Sequence, residues 1–315
     1  MGGTETSGRE PDVPWGVLLP TFDALHTGRT PPVVAGARRA EELGFDAGWV
    51  GDHLVCNAPV LDSVMALGAA AAVTRRLSLG FSVMLLGLRD PVGAARQIVT
   101  VDALCGGRLS LGVGVGGEHP EEFVAAGVGP TQRGRRLDEM LTVVPSLIAG
   151  EAVDFDGETV SVSRPATGSA RVPRVLIGGR GEAALRRVAR SGDGWLPMWL
   201  SPDALRDGAA RLAELLVDRP ATTLPIVLLV LVCVDDDLER ARRTAAEHLD
   251  GQYRLPLKAV ERWTLLGPPA VVAEELRRYL DAGVSELILM PLGPQPLHQY
   301  ERFADVRERL RATTR

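Results

Sequence analysis

Short apolar runs rich in Val, Leu and Ile recur eight times along the chain, each followed by a longer amphipathic segment. That rhythm limits the possible folds more than any other feature. The runs are 15–19 (WGVLL), 45–50 (FDAGWV), 77–83 (LSLGFSV), 108–113 (RLSLGV), 173–177 (PRVLI), 194–197 (GWLP), 225–234 (PIVLLVLVCV) and 286–290 (ELILM). Strands this apolar on both faces suit a parallel sheet covered by helices. Helical patterns fall near 32–43, 62–73, 91–104, 131–149, 181–191, 202–217, 236–250 and 269–282, with a last one near 297–312. Their ends are punctuated: Asp90 stands as an N-cap before Pro91, and Gly283 follows a helix that begins in prolines. Eight βα units predict an α/β fold, a single-domain (β/α)8 TIM barrel over 14–315, with active-site residues just past the strand ends. Two stretches break the rhythm. Residues 151–170 alternate and contain Asp156-Gly157, which predicts a small hairpin inserted before the fifth barrel strand. Residues 251–267 read as an irregular insertion. Residues 1–13 read as a disordered amino-terminal tail.

Composition narrows the function. The chain has 315 residues, 45% of them apolar, and no uncharged apolar run of membrane-spanning length. Its net charge of −5 argues against a nucleic-acid or anionic-membrane partner. The polar start lacks the apolar core of a signal peptide. Three widely spaced cysteines, Cys56, Cys105 and Cys233, fit a reducing cytoplasm better than a disulfide framework. The five histidines show no metal-ligand spacing, so no metal site is expected.

Several motifs lie at strand ends. Asp52 and His53 follow the second run directly. The stretch GVGVGGEHPEEF (112–123) contains a G-x-G-x-x-G, but Glu118, Glu121 and Glu122 crowd the place where a pyrophosphate would sit. It reads better as a glycine-lined strand end, through Gly116, that lets a flat ligand approach the backbone. In VLIGGRGEAALRRVAR (175–190), Gly178 and Gly179 end a strand where a helix begins. Backbone N–H groups and the helix dipole there make a phosphate seat, with Arg180 adding charge. The alternative is a tight turn with a solvated arginine. RGRRLDE (133–139) reads as a solvated helix start with Arg135 paired to Glu139.

The order and spacing of GVLLP, AEELGFDAGWVGDHL, LGFSVMLLGLRDPVGAARQIVTVDALCGGRLSLGVGVGG, RGRRLDEML, IGGRGEAALRRVARSGDGWLP and LDAGVSELILM resemble the bacterial luciferase-like superfamily. Within it, the chain looks most like the coenzyme F420 (deazaflavin) dependent oxidoreductases, from about residue 15 to 290. The resemblance implies a flavin-type ring at the carboxyl ends of the strands, against a non-proline cis peptide at Ser82–Val83. It implies Asp52 near the ring, the cofactor phosphate at Gly178, Gly179 and Arg180, and a histidine of hydride-transferring members at His53. The sequence GDHL tilts toward deazaflavin over FMN. Lys258 is the only lysine among 35 basic side chains, the mark of a GC-rich genome, and this cofactor is common in actinobacteria. One departure stands out: where some sugar-phosphate dehydrogenases of this group carry a glutamate at the end of the fourth strand, this chain has Val115, with Glu118 only in the following loop.

The expected activity is hydride transfer between F420 and a small organic substrate, as a reductase of an unsaturated C=C, C=N or C=O group in specialised metabolism. His53 is read as the proton donor or acceptor, or as a positioning residue. The alternatives are an FMN-dependent monooxygenase and a barrel that binds the cofactor without turnover. The expected partners are a small-molecule substrate and a second copy of the chain in a cytoplasmic homodimer.

Overall fold

A computed structural model describes residues 13–164, 170–217 and 224–313; the expected tail lies almost wholly outside them. The eight apolar runs all form strands: β1 (Trp15–Leu18), β2 (Ala47–Val50), β3 (Ser78–Met84), β4 (Leu109–Val113), β7 (Arg174–Gly178), β8 (Gly194–Leu196), β9 (Val227–Val234) and β11 (Glu286–Pro291). They pair in parallel in the order β9-β11-β1-β2-β3-β4-β7-β8. Parallel bridges Trp195–Ile226 and Met198–Leu229 join β8 back to β9 and close the barrel. The hairpin is present as β5 (Val153–Asp156) and β6 (Ser161–Arg164), antiparallel; residues 165–169 of the expected insertion lie outside the described part.

Both faces of the strands are apolar because both are covered. All eight residues of β9 are buried. Alternate side chains face the helices, such as Val17, Leu79 and Leu287, or fill the barrel, such as Leu18, Trp49, Leu176 and Ile288. Trp49 dominates the interior. A Cβ on Gly80 would lie 2.3 Å from its ring, and one on Gly16 would lie 2.6 Å from its Nε1, so those two strands must carry glycine where they face it.

Helix signals are obeyed. Asp90 caps helix Pro91–Leu104 by accepting from Gly93 N, and Gly283 takes φ +97° after helix Pro269–Leu280. Two expectations need correction, and one element is added. The stretch 251–267 is more ordered than expected: it ends helix Leu238–Tyr253, makes two 3-10 turns and supplies a ninth parallel strand, β10 (Thr264–Gly267), beside β9. Four residues are too short a run to show a period. A short helix, Glu121–Ala125, also sits in the loop after β4. Finally, Arg135 pairs with Glu158 of the hairpin turn, while Glu139 accepts from Glu158 N, Thr159 N and Val160 N. The inserted hairpin, absent from a one-dimensional helix pattern, competes for both side chains. No helix among the described residues is long and apolar enough to cross a membrane.

His248 ties helix Leu238–Tyr253 to the loop after β11. Gly293 N donates to its Nδ1 at 3.1 Å, which places the proton on Nε2, 3.0 Å from Gln252 Oε1. Burial pushes the imidazole down from 6.5 to about 4, against the opposing hydrogen bonds from Gln252 and Gly293. Between those values the unfolded chain binds a proton that the folded chain refuses, so stability falls as pH drops from about 6.5 toward 4. Between pH 7 and 5 the parent should lose about 2 kcal/mol more than His248→Gln, read by urea denaturation. Equal losses would show that His248 is not the group responsible.

Candidate active site

The strand exits on one face of the barrel converge on a cavity of about 220 Å³. All eight residues singled out above line it: Asp52 and His53 from the β2 exit, Ser82 and Val83 from β3, Gly116 after β4, and Gly178, Gly179 and Arg180 after β7. They are far apart in sequence and meet only because parallel strands present all their carboxyl ends to one side. Phe22, Glu118, Trp199 and Tyr253 complete much of the wall.

The peptide Ser82–Val83 is cis, as the resemblance implied. The Val83 side chain nests between two glycines: a Cβ on Gly114 would lie 2.6 Å from it and one on Gly178 2.8 Å. Within GVGVGG, Gly114 therefore makes room for a neighbouring strand's valine and Gly112 for the backbone of Phe81, which explains these two glycines without a dinucleotide. Ser82 Oγ is buried in this lining and has no protein partner.

Asp52 is buried, and its carboxylate is well used. Oδ1 accepts from Ser63 Oγ at 2.7 Å and from Arg89 Nη2 at 2.7 Å, and Oδ2 accepts from Leu85 N at 2.8 Å. The ion pair with Arg89 is itself mostly shielded, with side chains 3% and 11% exposed. Arg89 was not anticipated; it follows β3 by five residues, and nothing in the local pattern separates it from a solvated arginine.

His53 has a partner that the sequence reading passed over as a crowding charge. Glu122, 0% exposed, places Oε1 3.0 Å from His53 Nδ1 and accepts Leu54 N on Oε2 at 2.7 Å. A carboxylate can only accept, so this contact assigns the proton to Nδ1 and leaves Nε2 as the free nitrogen. Phe22 and His119 hold the imidazole edge-on, with ring centroids at 5.9 and 5.0 Å. The signal that could have found Glu122 is the pair Glu122-Phe123 in the short helix after β4, where both are buried.

At the β7 exit, helix Glu182–Ser191 starts after Gly181. Arg180 lies near both Trp199 and Trp263, 5.7 and 5.5 Å from the ring centroids, and donates to Trp199 O at 3.2 Å. Glu182 would oppose an anion at this helix start, but Arg211 and Arg186 pair with it at 2.8 and 2.7 Å. The hydrogen bond from Arg211 holds its carboxyl below the usual range.

Residues 14–286 match the model of the luciferase-like monooxygenase family, and the chain belongs to that family. A protein of Mycobacterium tuberculosis is 37% identical over 161 residues, half of this chain and 54% of its own length. The chain thus spans about half the length of some curated relatives it matches. An F420-dependent glucose-6-phosphate dehydrogenase of Nakamurella multipartita is 32% identical over 309 residues, covering 84% of this chain and 86% of that protein. Among solved structures, an F420-dependent secondary alcohol dehydrogenase with an F420–acetone adduct superposes with a TM-score of 0.81 at 17% identity, over 95% of this chain and 99% of that one. The FMN-bound oxygenating constituent of 3,6-diketocamphane monooxygenase from Pseudomonas putida gives 0.73 at 15% identity, over 94% and 96%. At these identities the structural matches establish the fold.

Arg89→Met would strand the buried Asp52 carboxylate without its cation. We expect a loss of about 3–5 kcal/mol of folding stability by urea denaturation, the usual cost of breaking a buried pair from one side. A loss below about 1 kcal/mol would show that hydrogen bonds alone satisfy Asp52.

Proposed function

We propose that this chain is a coenzyme F420-dependent oxidoreductase that transfers hydride between the deazaflavin and a small organic substrate, reducing an unsaturated C=C, C=N or C=O group. The observation that carries this reading is the single cavity gathering all eight residues, with the orphaned Ser82 Oγ in its wall. The F420 dependence of a relative aligned over most of the chain supports the choice of cofactor. When bound, a deazaflavin supplies hydride chemistry and does little with oxygen.

The remaining work falls to the protein. Val83, Ser82 and Gly116 would hold the ring. Asp52, an anion fixed by Arg89, holds the β3 exit in place. Gly178, Gly179 and Arg180 receive the phosphate at the start of helix Glu182–Ser191, where free N–H groups and the dipole favour an anion. His53 gives or takes the substrate's proton at Nε2. Glu122 fixes its tautomer and offsets the charge that develops on the imidazole, the part an orienting carboxylate plays in any acid–base pair. A second reading, an FMN-dependent monooxygenase, is favoured by the likeness to an FMN-bound oxygenase.

Fluorescence titration separates the two. Oxidised F420 should bind at about micromolar levels or tighter and FMN more weakly; FMN binding about tenfold tighter would reverse the assignment.

His53→Asn should slow single-turnover hydride transfer by roughly 10²–10⁴-fold at saturating F420, with cofactor affinity within a few fold. Glu122→Gln should give a smaller loss, and adding it to His53→Asn should cost almost nothing more, since it acts through the imidazole. Additive losses in the double variant would give Glu122 a separate role.

A further inference from the structure

A second cavity, of about 580 Å³, lies across a shared wall from the first: Leu18, Phe22 and Met290 line both. It is lined by the loops after β1 and β11 and by the end of helix Leu238–Tyr253. Two polar atoms of its lining residues have no protein partner. They are Thr21 Oγ1, on a residue 0% exposed, and Gln252 Nε2, on a residue 2% exposed. Buried hydroxyls and amides are nearly always hydrogen-bonded, so two orphans on one cavity wall point to something that fills it.

The charges around this space are already accounted for. Asp23 borders the cavity, but its carboxylate accepts from Thr27 N, Thr27 Oγ1 and Gly28 N at 2.9, 3.0 and 2.8 Å. His248 is neutral, with Nδ1 engaged by Gly293 N and Nε2 by Gln252 Oε1. Arg29, the only basic side chain of the lining apart from that histidine, is exposed to solvent. Thr27, Thr30 and Gln295 are solvent-exposed, so what remains in the buried part is one hydroxyl, one amide donor, and a wall of prolines and aliphatic side chains.

We propose that this second cavity holds the body of the substrate, an uncharged and largely apolar molecule with an oxygen acceptor that pairs with Gln252 Nε2 and Thr21 Oγ1. Its reacting end reaches past Phe22, whose ring stands 5.9 Å from that of His53, into the first cavity. The placement of the reacting end rests on the hydride-transfer reading; the selectivity of the cavity does not. A phosphorylated substrate is a poor match, because a buried phosphate requires cationic donors beside it, and the lining's one arginine, Arg29, stands in solvent. The specificity of the chain therefore departs from that of its glucose-6-phosphate-oxidising relatives.

The test uses the full chain without cofactor. Three probes are titrated by calorimetry: carvone, perillate as a carboxylate on the same carbon skeleton, and glucose 6-phosphate. Carvone should bind saturably, with the two anions at least about tenfold weaker. Thr21→Val keeps the shape and removes a hydroxyl that bonds to nothing in the protein. It should weaken carvone by about fivefold to tenfold, the weight of one hydrogen bond, without lowering the melting temperature. Gln252→Met should weaken carvone as well. Either anion binding as tightly as carvone, no saturable carvone binding, or unchanged carvone affinity in Thr21→Val would overturn the proposal. Because no cofactor is present, a chain that turned out to prefer FMN would leave this result standing.

Discussion

The carboxylate of Asp52 is the point at which the active face is tied together. It joins four places that the chain reaches separately: the β2 exit that carries it, Ser63 at the start of the following helix, Leu85 N just after β3, and Arg89 before the next helix. Three of those contacts reach from 11 to 37 residues along the chain. Buried anions are costly unless fully compensated, and this one has two charge-assisted or hydroxyl donors on one oxygen and a backbone donor on the other. Arg136 extends the knot by donating to Gly87 O at 2.6 Å and Arg89 O at 3.2 Å. The segment that presents Ser82 and Val83 is thereby held from both sides.

The barrel was readable because its strands are buried on both faces, so each leaves an apolar run that no turn or amphipathic helix imitates. Part of the cavity lining was readable for a related reason. Knowing the strand ends is enough to point to Asp52, His53 and Gly178, since topology brings them together, whereas Ser82 and Val83 lie within a strand that reads as plain core and came only from the resemblance. What escaped notice were partners contributed by loops. Arg89 and Glu122 look like surface charge in one dimension, and only the fold shows that one neutralises Asp52 and the other orders His53. Strand β10 was missed because four residues carry too little pattern, and the pairing of Arg135 with Glu158 depends on where the hairpin folds back.

Burial gives the His53–Glu122 contact its chemical weight. On the surface such a pair would be screened and worth little. Here the carboxylate is fully enclosed and the imidazole side chain is 12% exposed, so the field of Glu122 acts on the ring with little solvent between them. The same enclosure fixes the ring's rotation through Phe22 and His119.

Trp49 has one more consequence. Its indole fills the barrel interior where Gly16 and Gly80 give it space, so the passage that eight strands enclose is plugged below the site. The barrel is thereby closed from the side of the strand starts, and ligands reach the cavity from the carboxyl ends of the strands, the side on which its lining residues lie.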